Sequence, residues 1–178
     1  KAEGVRFQSG SVETSIGFLN TRKILRNSKL TLKEVTFDLP EISINVDISQ
    51  ARINIPNVEG ELPDGIRLKG TGAVLSAPIS SNADSFRIDF EMTNLVASAD
   101  GIQASARLIK GDVIKGDKSL YFNNLEFIIS ELEWNATNPG SGGIENLIYK
   151  EKLALFAGKK NSEVFLSAKK FHHQEGTK

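Results

Sequence analysis

Hydrophobic residues alternate with polar ones along most of this chain, in short runs. Leu30 and Leu32 are followed by Val35, Phe37 and Leu39, and these by Ile42, Ile44, Val46 and Ile48. A two-residue period puts every apolar side chain of a run on one face of a sheet. The stretch from Leu30 to Val46 therefore predicts strand, turn, strand, with Pro40 at the break because proline cannot donate to a ladder. Ahead of it, Val5 and Phe7 begin a short strand, Ser9-Gly10-Ser11 a turn, and Val12, Thr14, Ile16 and Phe18 a second strand. The polar and basic stretch 20–27 predicts either a helical turn or a long loop.

After Ile48 the apolar parity shifts to Ala51, Ile53 and Ile55, which requires a bulge or turn near Ser49-Gln50. Pro56-Asn57 and Leu62-Pro63-Asp64-Gly65 are turn signals, the second the stronger. Ile66, Leu68, Gly70, Gly72 and Val74 form a glycine-thinned strand, the kind found where a sheet bends or another backbone comes close. A surface loop at 80–84 precedes the clearest strand of all, Phe86, Ile88, Phe90 and Met92.

The pattern then returns. Aligning 12–46 with 102–136 gives six identities in 35 positions, among them Leu30/Leu120, Phe37/Phe127 and Glu41/Glu131. Thirteen of the fourteen apolar positions of the first copy are apolar in the second, so the register carries the match better than identity does. Two related units follow, residues 1–90 and 91–178. The second ends differently. Asn138 to Gly143 predicts a flexible loop, and Ile144, Leu147, Ile148 and Leu155 fit one face of a helix over 144–157. A strand over 152–157 is the competing reading. Val164, Leu166 and Ala168 suggest a closing strand, and 171–178 a frayed tail.

Composition narrows the options. With 39% hydrophobic and 25% charged residues in 178, the chain is globular and long enough for a core without staples. Basic and acidic residues balance at 22 each, so no net field draws in nucleic acid. There is no cysteine, which excludes disulfides, thiolate metal sites and cysteine nucleophiles. No run of 18 apolar residues is present, so no transmembrane helix is expected. The chain opens at Lys1 in strand-like sequence without a signal peptide, as a segment trimmed of its targeting region would.

Nothing in the sequence spells out a reaction. Asp84, Asp89 and Asp100 fall in turns or on outward strand faces, not as a spaced acid–base pair. Adjacent His172 and His173 cannot both point into one metal site. Gly70-Thr71-Gly72 lacks the third glycine of a dinucleotide fingerprint. Asp64-Gly65, Asp100-Gly101 and Gly111-Asp112 resemble hairpin turns more than calcium loops. No catalytic residue, metal ligand or cofactor is assigned, and an enzyme is not expected.

What remains is an apolar stripe. Phe37, Ile44, Phe122, Phe127 and Trp134 share one predicted sheet face. Either that face is a core covered by a second sheet or the helix, or the sheet is open and curved and its concave side lines an acyl chain. An eight-residue strand spans about 26 Å, enough to wrap a lipid tail.

Strands written Leu-x-Leu-x-x-Val-x-Phe-x-Leu, joined by short turns and repeated in tandem, resemble AsmA-like and TamB-like envelope proteins. The passages concerned are Lys29–Ile55, Asn94–Ser105 and Leu120–Trp134. The resemblance implies a repeated β groove that conducts lipid in a bacterial cell envelope, in the periplasm. The stretch 139–160 lies outside that pattern. The fold expected is therefore mostly β: an antiparallel curved sheet or open barrel of two related units of about 90 residues with one C-terminal helix. A closed β-sandwich is the alternative. The expected role is non-catalytic binding or transfer of a lipid-like ligand. A structural module that meets protein partners at its sheet edges is the alternative.

Overall fold

The computed structural model describes residues 4–33, 35–79, 86–115, 124–136, 140–156 and 159–175. All regular structure among them is strand. β1 (Val5–Gln8) and β2 (Ser11–Ile16) are short. The long strands are β3 (Asn20–Leu32), β4 (Val35–Asp47), β5 (Gln50–Glu61), β6 (Arg67–Pro78), β7 (Phe86–Ala99), β8 (Ile102–Lys115), β9 (Asn124–Ala136) and β10 (Gly140–Phe156). β11 (Lys159–Ser167) and β12 (Lys170–Glu175) come last.

They form one antiparallel sheet in which β3 to β10 neighbour each other in chain order. Gln8 faces Lys29 and Ser11 faces Arg26, so β1 and β2 are one strand on β3, interrupted at residues 9 and 10. Ser167 faces Ile148 and Lys170 faces Glu145, so β11 and β12 are likewise one strand on β10, interrupted at residues 168 and 169. The result is an up-and-down meander whose first and last members do not meet. The open antiparallel sheet is the alternative that forms, and the closed sandwich is not.

A crease runs across this sheet, perpendicular to the strands. Each ladder breaks at its middle. The pairs Asn27/Pro40, Pro56/Gly72, Thr93/Leu108, Leu108/Ser130 and Ser130/Asn146 are skipped while the residues on either side stay in register. Asn27, Gly72, Leu108 and Asn146 have φ of 53°, 65°, 45° and 49°, the left-handed region. A single left-handed residue within a strand bends it and breaks its alternation, as a bulge does. Pro40 and Pro56 sit on the same line, where no ladder bond is asked of their missing N–H.

The crease accounts for what the sequence pattern misled. Pro40 does not separate two hairpin strands; it lies inside β4, and the hairpin turn is at Lys33, just past Leu32. Ser9-Gly10 and Pro56-Asn57 are crossings of the crease, not turns that reverse the chain. The stretch 20–27 is neither helix nor loop but the first half of β3.

The helix expected over 144–157 is corrected to strand β10, which runs to Phe156. Its helical signal, Ile144 to Leu147, arises because both residues face the same side from opposite halves of a bent strand. The crossing at Asn146 turns a two-residue spacing into three. The flexible loop expected at 138–143 is also corrected in part, since Gly140 to Gly143 begin β10 and 137–139 lie outside the described residues. Residues 171–175 belong to β12, not to a frayed tail. Leu62 to Gly65 and Asp100-Gly101 are turns as expected, with Gly65 and Gly101 at φ 74° and 70°, whereas Gly111-Asp112 is corrected from a hairpin turn to the interior of β8, paired on both sides.

The turn between β4 and β5 also forms as the parity shift requires. Asp47 holds it by accepting hydrogen bonds from the Ser49 amide and hydroxyl at 2.7 Å each and from the Gln50 amide at 2.9 Å. Those donors favour the charged carboxylate, the Ser49 hydroxyl most, and lower its pKa below the usual 3.8. The stabilisation is complete above that usual value and fades as pH falls through the lower folded-state one. An acid titration followed by circular dichroism should therefore show Asp47→Asn losing less stability than wild type between about pH 5 and pH 2. Equal losses would mean that the carboxylate charge contributes nothing to the turn.

Candidate functional site

The residues flanking the crease define the site. In every long strand the two positions that flank the crossing on the inner side are three apart: Leu25/Ser28, Leu39/Ile42, Ile55/Val58, Gly70/Ala73, Met92/Leu95, Ala106/Ile109, Ile129/Leu132 and Ile144/Leu147. None of these sixteen is exposed. Leu39, Ile42, Ala106 and Ala73 are only 4%, 5%, 6% and 7% accessible. Leu25, Leu39 and Ile42 pack together across the crease, with Leu30, Ile44, Ile53, Ile55 and Val58 around them. Burial of each large aliphatic side chain contributes about 2 kcal/mol. These apolar residues are best buried at the fold line and more exposed toward the strand ends, and they line a shallow apolar trough along the crease.

Register lines carry the walls. On one side Ile44 pairs with Ile53, Ile53 with Leu75, Leu75 with Phe90, Phe90 with Gly111, Gly111 with Phe127 and Phe127 with Tyr149. Glycine at the fourth link lets the rings of Phe90 and Phe127 close over it, with centroids 5.0 Å apart. Tyr149 continues the ladder 6.0 Å from Phe127 and donates its hydroxyl to Glu151 at 2.9 Å, which raises the phenol's pKa. On the other side Leu30 pairs with Phe37, Phe37 with Gly60 and Gly60 with Leu68. Farther along, Ala97, Ala104 and Trp134 lead to Gly142. Trp134 covers Gly142 and meets Phe171 at 5.9 Å and His173 at 6.3 Å between ring centroids.

Four of the five residues singled out from sequence sit in this trough. Ile44 and Phe127 belong to one wall, Phe37 and Trp134 to the other, and all four are half-buried. Phe122 lies outside the described residues. The alternating pattern did not reveal the floor, although its signal was present as an apolar i, i+3 pair inside an otherwise alternating run. His172 and His173 point to opposite faces of β12, and only His173 reaches the trough.

The opposite face carries most of the charged side chains, and depressions such as the one lined by Arg52, Arg87, Asp89, Lys110, Asp112 and Glu126 open on it. Its ion pairs bridge neighbouring strands: Lys29–Asp38 at 3.0 Å, Lys69–Glu59 at 2.8 Å, Lys150–Glu126 at 3.0 Å and Arg107–Glu131 at 3.1 Å. These pairs are solvated and individually contribute little stability. They do mark which face meets water. Among the described residues no cluster of three His, Asp or Glu could hold a metal ion, and no helix is long and apolar enough to cross a membrane.

Compared with known proteins, the chain matches no family model, no curated sequence and no solved structure. The residues of the trough carry the functional reading by themselves.

Proposed function

We propose that this protein binds or passes on a lipid-like ligand, without catalysis, along the apolar trough of its creased sheet. The observation that supports this is the run of apolar floor and wall residues from β4 to β10 on one face of a single-layer sheet, which Ser28 and Lys23 end on β3. Side chains there remain half-exposed that a second layer would bury. Apolar surface left in water favours an apolar occupant by about 25 cal/mol per Å² covered. A lipid tail suits a long open trough, because it adapts along its length and needs no polar partner. The AsmA-like and TamB-like resemblance leads to the same role and to a periplasmic, cell-envelope setting.

Native mass spectrometry of detergent-free protein, followed by solvent extraction, tests the proposal. Near-stoichiometric phospholipid or fatty acid is the expected result. A bare mass, together with no uptake of added oleate or phospholipid, would overturn it.

A second reading, a module that joins protein partners through its sheet edges, is favoured by one observation. Large apolar residues are exposed along both edges, with Ile16 at 81% and Val12 at 60% on one and Leu166 and Phe171 at 65% each on the other.

A further inference from the structure

We propose that the ligand of the trough is a fatty acid, its carboxylate held by Lys23 of β3 and its tail laid across the strands toward β9. The inference rests on the trough reading above and adds the ligand's class and its orientation.

Alternation and register place a single charged residue on the trough face of strands β1 to β7, and it is Lys23. Every other lysine, arginine, aspartate and glutamate of those strands falls on the opposite face, where Lys29 pairs with Asp38 and Lys69 with Glu59. Lys23 is exposed and lies directly across from Thr14 on β2 and Ile44 on β4. Among the described residues no carboxylate pairs with it. Its ammonium is therefore open to an anion from outside the chain, and Thr14 and Thr21 on the same face add hydroxyl donors beside it.

The row that Lys23 heads suits a single tail. It runs from Ile44 through Ile53, Leu75 and Phe90 to Phe127. Its five strand spacings span about 24 Å, more than the roughly 15 Å that an acyl tail fills in one bilayer leaflet. At the far end the sign reverses. Glu151 on β10 accepts the Tyr149 hydroxyl, and Glu175 lies on β12 opposite Gly140. A carboxylate is thus drawn to β3 and repelled from β10. No arginine shares the trough face of β2, β3 or β4. One ammonium matches the one charge of a carboxylate, whereas phosphate recognition favours the bidentate arginine fork.

Binding of oleate is compared with that of methyl oleate, which has the same tail and no charge. Lys23→Gln should weaken oleate about tenfold and leave methyl oleate unchanged. Lys23→Arg should retain oleate, and Arg22→Gln, which removes a like charge from the opposite face, should have no effect. An inward-pointing charge can also serve only to guard a sheet against pairing with other chains. Lys23→Glu keeps a charge there, so it separates the two roles and should bind oleate least. The chain's one tryptophan, Trp134 on β9, reports orientation. Stearate with a nitroxide near its terminal methyl should quench Trp134 more than stearate with a nitroxide beside its carboxylate. Wild-type oleate affinity in Lys23→Glu, an equal loss in Arg22→Gln, or the reverse quenching order would each overturn the proposal. A larger loss for oleoyl lysophosphatidate than for oleate would overturn it in favour of a phosphate-headed lipid. If methyl oleate binds but oleate is indifferent to Lys23, the fatty-acid assignment falls and the trough reading stands. If neither ligand binds, both fall.

Discussion

Trp134→Asp is expected to abolish lipid uptake while leaving the protein folded. Trp134 lines one wall, lies over Gly142 and meets Phe171 and His173, so it is half-buried and has no large shell of core neighbours to collapse. A carboxylate in its place projects charge where an acyl chain would lie. Bringing a hydrocarbon against an unpaired charge costs a few kcal/mol, and each 1.4 kcal/mol is about tenfold in affinity. A drop of at least about tenfold in binding of a fluorescent fatty acid is therefore expected. Trp134→Phe should retain most of the binding, and Glu133→Gln, on the opposite face, all of it. Far-ultraviolet circular dichroism checks that the sheet survives. Uptake that is indifferent to Trp134→Asp in a folded protein would sink the trough as a ligand surface.

The largest expected effect on stability is at Gly111. This residue lies in β8 between the wall aromatics, and a Cβ there would strike the Glu126 carbonyl oxygen and come within 2.8 Å of the Phe90 ring. The carbonyl belongs to the neighbouring strand and cannot swing away as a side-chain tip could. Gly111→Val should cost about 3 kcal/mol, at the upper end of overpacking effects, and lower the melting temperature by roughly 6–12 °C. Gly65→Ala is the contrast. Nothing lies within 4 Å of its added Cβ, so only its φ of 74° opposes the change, for about 1 kcal/mol. Thermal unfolding that shows Gly111→Val as stable as wild type would mean that β8 and β9 do not approach as closely as the ring ladder requires.

Sequence reasoning succeeded where a local signal maps onto one physical cause. Val35, Phe37 and Leu39 alternate because β4 has one buried face, and Asp64-Gly65 and Asp100-Gly101 reverse the chain because glycine accepts a positive φ. It failed wherever a strand crosses the crease. At Leu39/Ile42 the three-residue step reads as a break between strands, and at Ile144/Leu147 as a helix face. Both readings are locally sound, since an i, i+3 apolar pair is as much a helical feature as a sign of a bent strand. Leu108 shows the limit most clearly, because nothing about a leucine announces a left-handed residue in mid-strand.

By itself, then, the sequence determined that this chain is an antiparallel β protein with one apolar and one polar face, since alternation records which side of a strand leaves water. It also determined that Phe37, Ile44, Phe127 and Trp134 lie on the apolar side. Only the tertiary structure decided that the strands are long and bent and that their bends line up across the sheet. Those properties depend on the register between strands far apart in the chain, and the pattern within any one strand does not encode that register.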